Sequence, residues 1–179
     1  LLGAGHIVAE KYSEQADLRQ RARKIFRSRG KLTSTKIKED HKRNAQFRDY
    51  HTFSEPLNRV PPHRVMAINR GEKAGVLRVR IETDTEEIYQ MAREMLVPGD
   101  HPLKEFLAGC VNDALDRLIL PSLEREVRRE LSDKAEAHAV EVFARNLRKL
   151  LLAPPLSGRR ILAMDPGFKS GCKMAVLDE

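Results

Sequence analysis

The sequence has no tryptophan, only 5% aromatic residues and no long apolar run among its 179 residues. No window approaches the roughly 20 consecutive apolar residues of a membrane-spanning helix, so we expect no membrane partner. The two cysteines, Cys110 and Cys172, lie far apart and form no CxxC motif, which gives no support to a zinc site or a disulfide framework. These absences favour a protein of the reducing cytoplasm.

Motifs typical of enzymes and metal sites are absent as well. The six histidines are scattered, with none at HxxxH spacing and none in a Cys/His cluster. The chain contains no nucleophile elbow, no P-loop and no zinc-protease motif. We therefore predict no cofactor and no metal, and we expect no catalysis by this chain.

What the sequence does contain is positive charge, and one segment holds most of it. The net charge is +7, but residues 11–48 carry thirteen Lys/Arg and only four Asp/Glu. Such a local field attracts phosphate backbones, although an ordinary solvated face is the alternative interpretation. The predicted nucleic-acid contacts are Arg23, Lys24, Arg27, Arg29, Lys31, Lys36, Lys38, Lys42 and Arg43.

The first 50 residues loosely fit a helix-turn-helix pattern. The spacing predicts a helix up to about Arg29, with Leu18, Ala22, Ile25 and Phe26 on one face. Gly30 stands where a C-terminal cap belongs. A second short basic helix is predicted at 39–50.

A β-hairpin is predicted at about 64–82. Two apolar runs, 64–69 and 76–82, flank a turn-like segment that contains two glycines. The second run alternates strictly, with Leu77, Val79 and Ile81 on one face and charged residues on the other. We interpret that charged face as a solvated one.

Helices are predicted over about 84–153, and the last of them is the longest. Pro121 fits its first turn, and Pro154 and Pro155 end it. We interpret this helix as a scaffold against which the shorter helices pack. Its apolar stripe is Leu123, Val127, Leu131, Ala135, Ala139, Val142, Phe143, Leu147, Leu150 and Leu151.

A linker is predicted at 154–160, followed by a hairpin over 161–179. Asp165 ends an apolar run and precedes a Pro-Gly turn. A carboxylate placed there suits either a divalent metal for phosphodiester hydrolysis or a phosphate-binding turn, as in sugar kinases and actin-like ATPases. An aspartate before Pro-Gly also commonly just closes a turn, so Asp165 is a weak catalytic candidate. Because a lone hairpin is marginally stable, we expect the rest of its domain to lie beyond Glu179.

Several stretches, in co-linear order along the whole chain, resemble the Tex family of transcription accessory proteins. They are Gly5–Glu10 (GHIVAE), Phe47–Leu57 (FRDYHTFSEPL), His63–Val79 (HRVMAINRGEKAGVLRV), Leu118–Arg128 (LILPSLEREVR), Val142–Leu152 (VFARNLRKLLL) and Ile161–Val176 (ILAMDPGFKSGCKMAV).

The resemblance implies a mainly α fold over 1–153, followed by the first hairpin of a truncated α/β YqgF domain with the RNase H-like fold. In that family, helix-hairpin-helix motifs and an RNA-binding OB-fold follow. Asp165 matches the first-strand acid of active relatives in the RNase H-like superfamily, although the family's domain is thought to be degenerate as a nuclease.

Our functional prediction is a cytoplasmic, nucleic-acid-binding transcription accessory protein, with this chain as its N-terminal scaffold. The implied partners are RNA or DNA and the transcription or translation machinery. Two alternatives stay open. One is a metal-dependent nuclease that uses Asp165 in a longer protein, and the other is a helical scaffold that only docks proteins.

Overall fold

The computed structural model of the chain describes residues 2–37, 44–154, 156–167 and 171–178. Within those ranges the fold is mainly α, as predicted. The helices are Leu2–Ser13 (α1), Ala16–Arg29 (α2), Pro62–Lys73 (α3), Glu86–Leu96 (α4), Lys104–Asp113 (α5) and Leu120–Leu151 (α6). The strands are Lys31–Lys36 (β1), Thr52–Pro56 (β2), Leu77–Glu82 (β3), Ile161–Pro166 (β4) and Cys172–Leu177 (β5). The chain divides into two compact units, 1–140 and 141–179.

The core of the first unit lies where helix α2 meets a small sheet and the first half of α6. Leu18, Ala22 and Phe26 recur every four residues on α2 and are buried, which confirms the predicted apolar face. The same cluster contains Leu32 from β1, Ile81 from β3, and Leu123 and Val127 from α6. Helices therefore cover one face of the sheet, and burial of these side chains is the main force that holds the unit together.

The sheet has three antiparallel strands in the order β2-β1-β3. In the central strand, Thr33 stands opposite Ser54 of β2 and Arg80 of β3. The outer edge of β3 is partly capped, because the Ile81 N–H donates to the Glu124 carboxylate of α6 at 3.0 Å. Occupied donors of this kind keep an edge strand from pairing with other chains.

The predicted hairpin at 64–82 is wrong in its first half, which forms helix α3. Pro62 sits in the first turn, where its missing N–H is not needed. The buried positions Val65, Ile68 and Gly71 recur every three residues, as one face of a helix requires. The prediction of strand β3 is confirmed, but β3 pairs with β1 and not with its sequence neighbour.

Directly after Gly30, the segment between the two predicted helices forms strand β1. The helix-turn-helix pattern of the first 50 residues stays a prediction. Residues 44–50 of the predicted second helix form a 3₁₀ helix, bent at Phe47. Residues 38–43, which begin that predicted helix, lie outside the described residues. The β-branched side chains of Thr33 and Thr35 favour the strand conformation here.

Helix α5 passes into α6 through a π-helical turn over Ala114–Ile119. In this turn the Leu120 N–H reaches back five residues to the Leu115 carbonyl. Pro121 follows at once and would clash with the carbonyl four residues before it in a regular α-helix. The wider π turn accommodates the ring, so the chain continues as helix where we predicted a new helix start.

The predicted apolar stripe of α6 is buried only in its first half. Leu123, Val127 and Ala135 are buried, whereas Phe143 and Leu147 are exposed. The scaffold role is therefore observed for the part of α6 that lies in the first unit.

The second unit contains the predicted terminal hairpin. Strands β4 and β5 pair antiparallel, and Asp165 stands opposite Lys173. Side chains along both strands, among them Leu162 and Val176, are largely exposed. The linker over 154–160 stays a prediction.

Gly30 is required by a close approach between α2 and the sheet. A Cβ atom there would lie 2.4 Å from the Phe26 carbonyl oxygen and 2.7 Å from Leu57 Cδ1. We expect Gly30→Ala to lower the free energy of unfolding by about 1–3 kcal/mol, because the core must shift to admit the methyl group. Urea denaturation measures this directly.

Gly109→Ala is the matched control, since a methyl group added there would meet no neighbouring atom within 4 Å and the residue is inside α5. It should be neutral or stabilising by up to about 1 kcal/mol. Equal effects of the two substitutions would contradict the packing account.

Candidate nucleic-acid interface

The basic side of helix α2 faces helix α6 through a regular ladder of polar contacts. Arg19 Nη2 donates to Ser122 Oγ at 2.9 Å, and Arg23 Nε donates to Glu126 Oε1 at 2.5 Å. Arg27 Nη2 pairs with Glu130. Each pair is separated by the same 103 positions in sequence. Such a constant offset means that the two helices run side by side in the same direction, with one contact per turn.

The central rung of this ladder is a bidentate ion pair. Arg23 Nη2 also donates to Glu126 Oε2 at 3.1 Å, and Arg27 Nη2 adds a longer contact to Glu126 at 3.4 Å. The hydrogen bond from Arg23 is the largest cause that lowers the pKa of Glu126 below its usual range. The same bond raises the pKa of Arg23. Both side chains are about 30% exposed, so we assign the pair a modest share of stability.

The outer side of α2 forms a shallow groove of polar and basic residues. Lys24 lines it, and no carboxylate is among its lining residues. Arg23 and Arg27 keep N–H groups that their glutamates do not use, because a guanidinium has five donors. The lining residues are Gln20, Arg23, Lys24, Arg27 and Ser28. Three of the predicted phosphate contacts therefore converge on one surface, and two of them are held rigidly by α6.

The other predicted contacts are dispersed. Arg29 pairs with Glu87 of α4 at 2.5 Å. Lys31 is exposed on β1, and Lys36 is half-buried at the far end of the same strand. Lys38, Lys42 and Arg43 lie outside the described residues. As phosphate contacts, all of these residues stay predictions.

The glutamate partners in the ladder were not found from the sequence. Glu126 and Glu130 lie four residues apart on α6, which matches the spacing of Arg23 and Arg27 on α2. This equal spacing is the sequence feature that indicates the pairing. Acids three residues apart on α6, such as Asp133 and Glu136, also share one face of a helix, so the partners cannot be chosen without the fold.

Asp165 has no companion for metal binding in the described parts of the chain. Nowhere in those residues do three His, Cys, Asp or Glu side chains converge in a way that suits a metal ion. Asp178 lies at the opposite end of the hairpin, where it contacts Arg160 at 3.4 Å. Residue Glu179 is not described. Among the described residues, the arrangement around Asp165 can close a turn and belongs to no group of three metal ligands.

A sequence profile described as Tex central region-like matches residues 1–143. This chain belongs to the Tex family. Among the relatives of this Tex-family chain, Bacillus subtilis YdcI is 40% identical over 99% of the chain. Human "S1 RNA-binding domain-containing protein 1" is 33% identical over 98%, and the Neisseria gonorrhoeae "Transcriptional accessory protein Tex" is 32% identical over 99%.

The Tex-family chain spans only part of these relatives. It covers 25% of YdcI, 24% of the Neisseria protein and 19% of the human protein. Among the described residues, no helix is both long enough and apolar enough to cross a membrane.

The lowered pKa of Glu126 makes the stability of this Tex-family chain depend on pH. Because the folded-state pKa lies below the unfolded value, the ion pair stabilises the fold above about pH 5. That contribution to stability is lost as the pH falls through the pKa of the unfolded state, about 4.3, toward the lower pKa of the folded state. We expect Glu126→Gln to be less stable than the wild type at pH 7 and to approach it near about pH 3.

Urea denaturation between about pH 3 and pH 7 tests this expectation. Glu136→Gln is the control, because Glu136 is exposed on the same helix and makes no ion pair within the described ranges. It should keep the wild-type pH profile. A Glu126→Gln profile parallel to that of the wild type would refute the role of the ion pair.

Proposed function

We propose that this chain binds RNA or DNA through the phosphate backbone, as the scaffold part of a transcription accessory protein in the cytoplasm. The observation that carries the proposal is the α2 groove, where Arg23, Lys24 and Arg27 converge with no carboxylate in the lining. Phosphate oxygens are the ligands that such a set of N–H donors suits best.

The ladder of contacts between α2 and α6 affects how well this groove can bind phosphate. Glu126 and Glu130 cancel part of the charge of Arg23 and Arg27, which weakens the long-range field. The same pairs fix the two guanidinium groups, so less side-chain entropy is lost when a phosphate binds. Lys24 makes no ion pair in the described part of the chain and supplies the uncompensated charge.

The names of two relatives favour nucleic acid as the ligand. One is named for an S1 RNA-binding domain and one as a transcriptional accessory protein. Those names describe whole proteins, of which this chain matches a quarter or less. That this chain itself binds nucleic acid is therefore a separate proposal. We also propose that the chain acts by binding and not by catalysis. The paired strands β4 and β5 fit our expectation that a YqgF-like domain begins there.

Fluorescence anisotropy with labelled mixed-sequence RNA, single-stranded DNA and duplex DNA tests the proposal over a salt series. We expect binding at low salt, with an affinity that falls linearly on a log–log plot against salt. A chain that only docks proteins would give no such binding. Absence of binding at the lowest salt would therefore reject the proposal.

Lys24→Gln probes the groove itself. Loss of one phosphate contact should lower the salt slope by about 0.7 for single strands and about 0.9 for duplex DNA. Lys104→Gln is the control, since Lys104 is exposed at the start of α5 and away from the groove. Equal slopes for the two variants would remove the α2 groove as the contact surface.

A further inference from the structure

The three-stranded sheet has a second face, on which most side chains are exposed, although Thr33 in the central strand is buried. Strand register places alternate residues of all three strands on this outer face. The residues between them along each strand point to the opposite face, where some, such as Leu32 and Ile81, are buried in the core. The outer-face residues are Lys31, Thr33, Thr35, Thr52, Ser54, Pro56, Arg78, Arg80 and Glu82.

These side chains form two equivalent rows across the sheet. One row runs Thr52–Thr35–Arg78, and the next runs Ser54–Thr33–Arg80. The two rows are equivalent in register, and each ends in an exposed guanidinium. The first row also offers two exposed hydroxyl groups, whereas the second offers only that of Ser54, because Thr33 is buried. The two arginines are two residues apart on β3, which separates their Cα atoms by about 6.8 Å.

The charge of this face is largely uncompensated. Within the described residues, neither Arg78 nor Arg80 makes an ion pair or a side-chain hydrogen bond. Glu82 is the one acid among the outer-face residues, and it stands opposite Lys31. That leaves the two arginine rows without a neutralising partner. The Thr33 hydroxyl donates to the Arg80 carbonyl oxygen at 3.3 Å and helps to hold the rows in register.

Aromatic side chains are absent from the outer-face residues. Phe53 of β2 points to the opposite face, where it packs against the core and lies 5.8 Å from the Tyr50 ring. Base stacking on aromatic rings is the usual source of base contacts on nucleic-acid-binding sheets. This face offers only donors for phosphate and sugar oxygens, and such contacts carry no sequence information.

We propose that the outer face of the sheet binds the sugar–phosphate backbone of a nucleic acid, without base preference, through Arg78 and Arg80. Two equivalent rows suit a ligand that repeats its charged group at regular intervals, as a nucleic-acid strand does. Guanidinium groups bind phosphate in a two-pronged geometry, and the hydroxyls of Thr35, Thr52 and Ser54 supply further donors. This inference rests on the proposed function, but it places contacts on a surface other than the α2 groove.

The test compares the wild-type protein with Arg78→Gln/Arg80→Gln, using labelled mixed-sequence RNA and duplex DNA over a salt series. Loss of two phosphate contacts should lower the salt slope by about 1.4 on RNA and about 1.8 on duplex DNA, and weaken binding about tenfold or more at low salt. Arg125→Gln/Arg129→Gln is the control with the same charge loss, on the exposed side of α6. It should change the affinity by less than about twofold.

Far-UV circular dichroism and the urea midpoint establish that both double variants are folded. Equal binding of RNAs of different sequence, together with the loss in Arg78→Gln/Arg80→Gln, supports the inference. Wild-type protein that binds no nucleic acid overturns both this inference and the proposed function. Wild-type binding that the double variant retains overturns the sheet-face inference alone.

Poly-L-glutamate serves as a competitor of matched charge. We expect it to compete weakly with RNA. The inference would be overturned if poly-L-glutamate displaced labelled RNA as strongly as unlabelled RNA does, and if Arg78→Gln/Arg80→Gln abolished that displacement. That result would assign the face to an acidic protein partner.

Discussion

One short stretch of helix α6, residues 122–132, holds the first unit together. It bonds to α2 through Ser122, Glu126 and Glu130, to the edge of β3 through Glu124, and to α3 through Arg128. Its apolar side meanwhile buries Leu123 and Val127 among the same elements. The apolar contacts supply most of the stability, and the polar contacts fix the rotation of each element about α6, because a hydrogen bond has a required direction.

This arrangement gives the basic residues two distinct roles. Arg23 and Arg27 look alike in the sequence, as members of a charged segment, yet each is tied to a glutamate of α6. Lys24, Arg78 and Arg80 make no such pair within the described residues, so their charge is available to a ligand. A charge count over the sequence therefore overstates the free positive charge on α2 and misses the arginines that β3 brings to the sheet face. The fixed cations Arg23 and Arg27 share the α2 groove with Lys24. Arg78 and Arg80 lie on a separate surface, the outer face of the sheet.

Much of the fold could be predicted from local pattern. The apolar spacing on α2, the alternation in β3 and the turn residues of the last hairpin each determine an element by themselves. What could not be predicted was pairing across long distances, such as β3 with β1. The 64–69 segment was mistaken for a strand because its apolar run is short, and such runs do not distinguish helix from strand. The candidate site was predicted only as a list of cations, since their glutamate partners lie 103 residues away.

The most direct test of this account is a double-mutant cycle on Arg23→Gln and Glu126→Gln, measured by urea denaturation at pH 7. If the ladder fixes α2 on α6, the two substitutions together should cost less than the sum of the single effects, with a coupling of about 0.5–1 kcal/mol. Effects that add to within about 0.3 kcal/mol would contradict the account, because the two side chains would then stabilise the fold independently of each other.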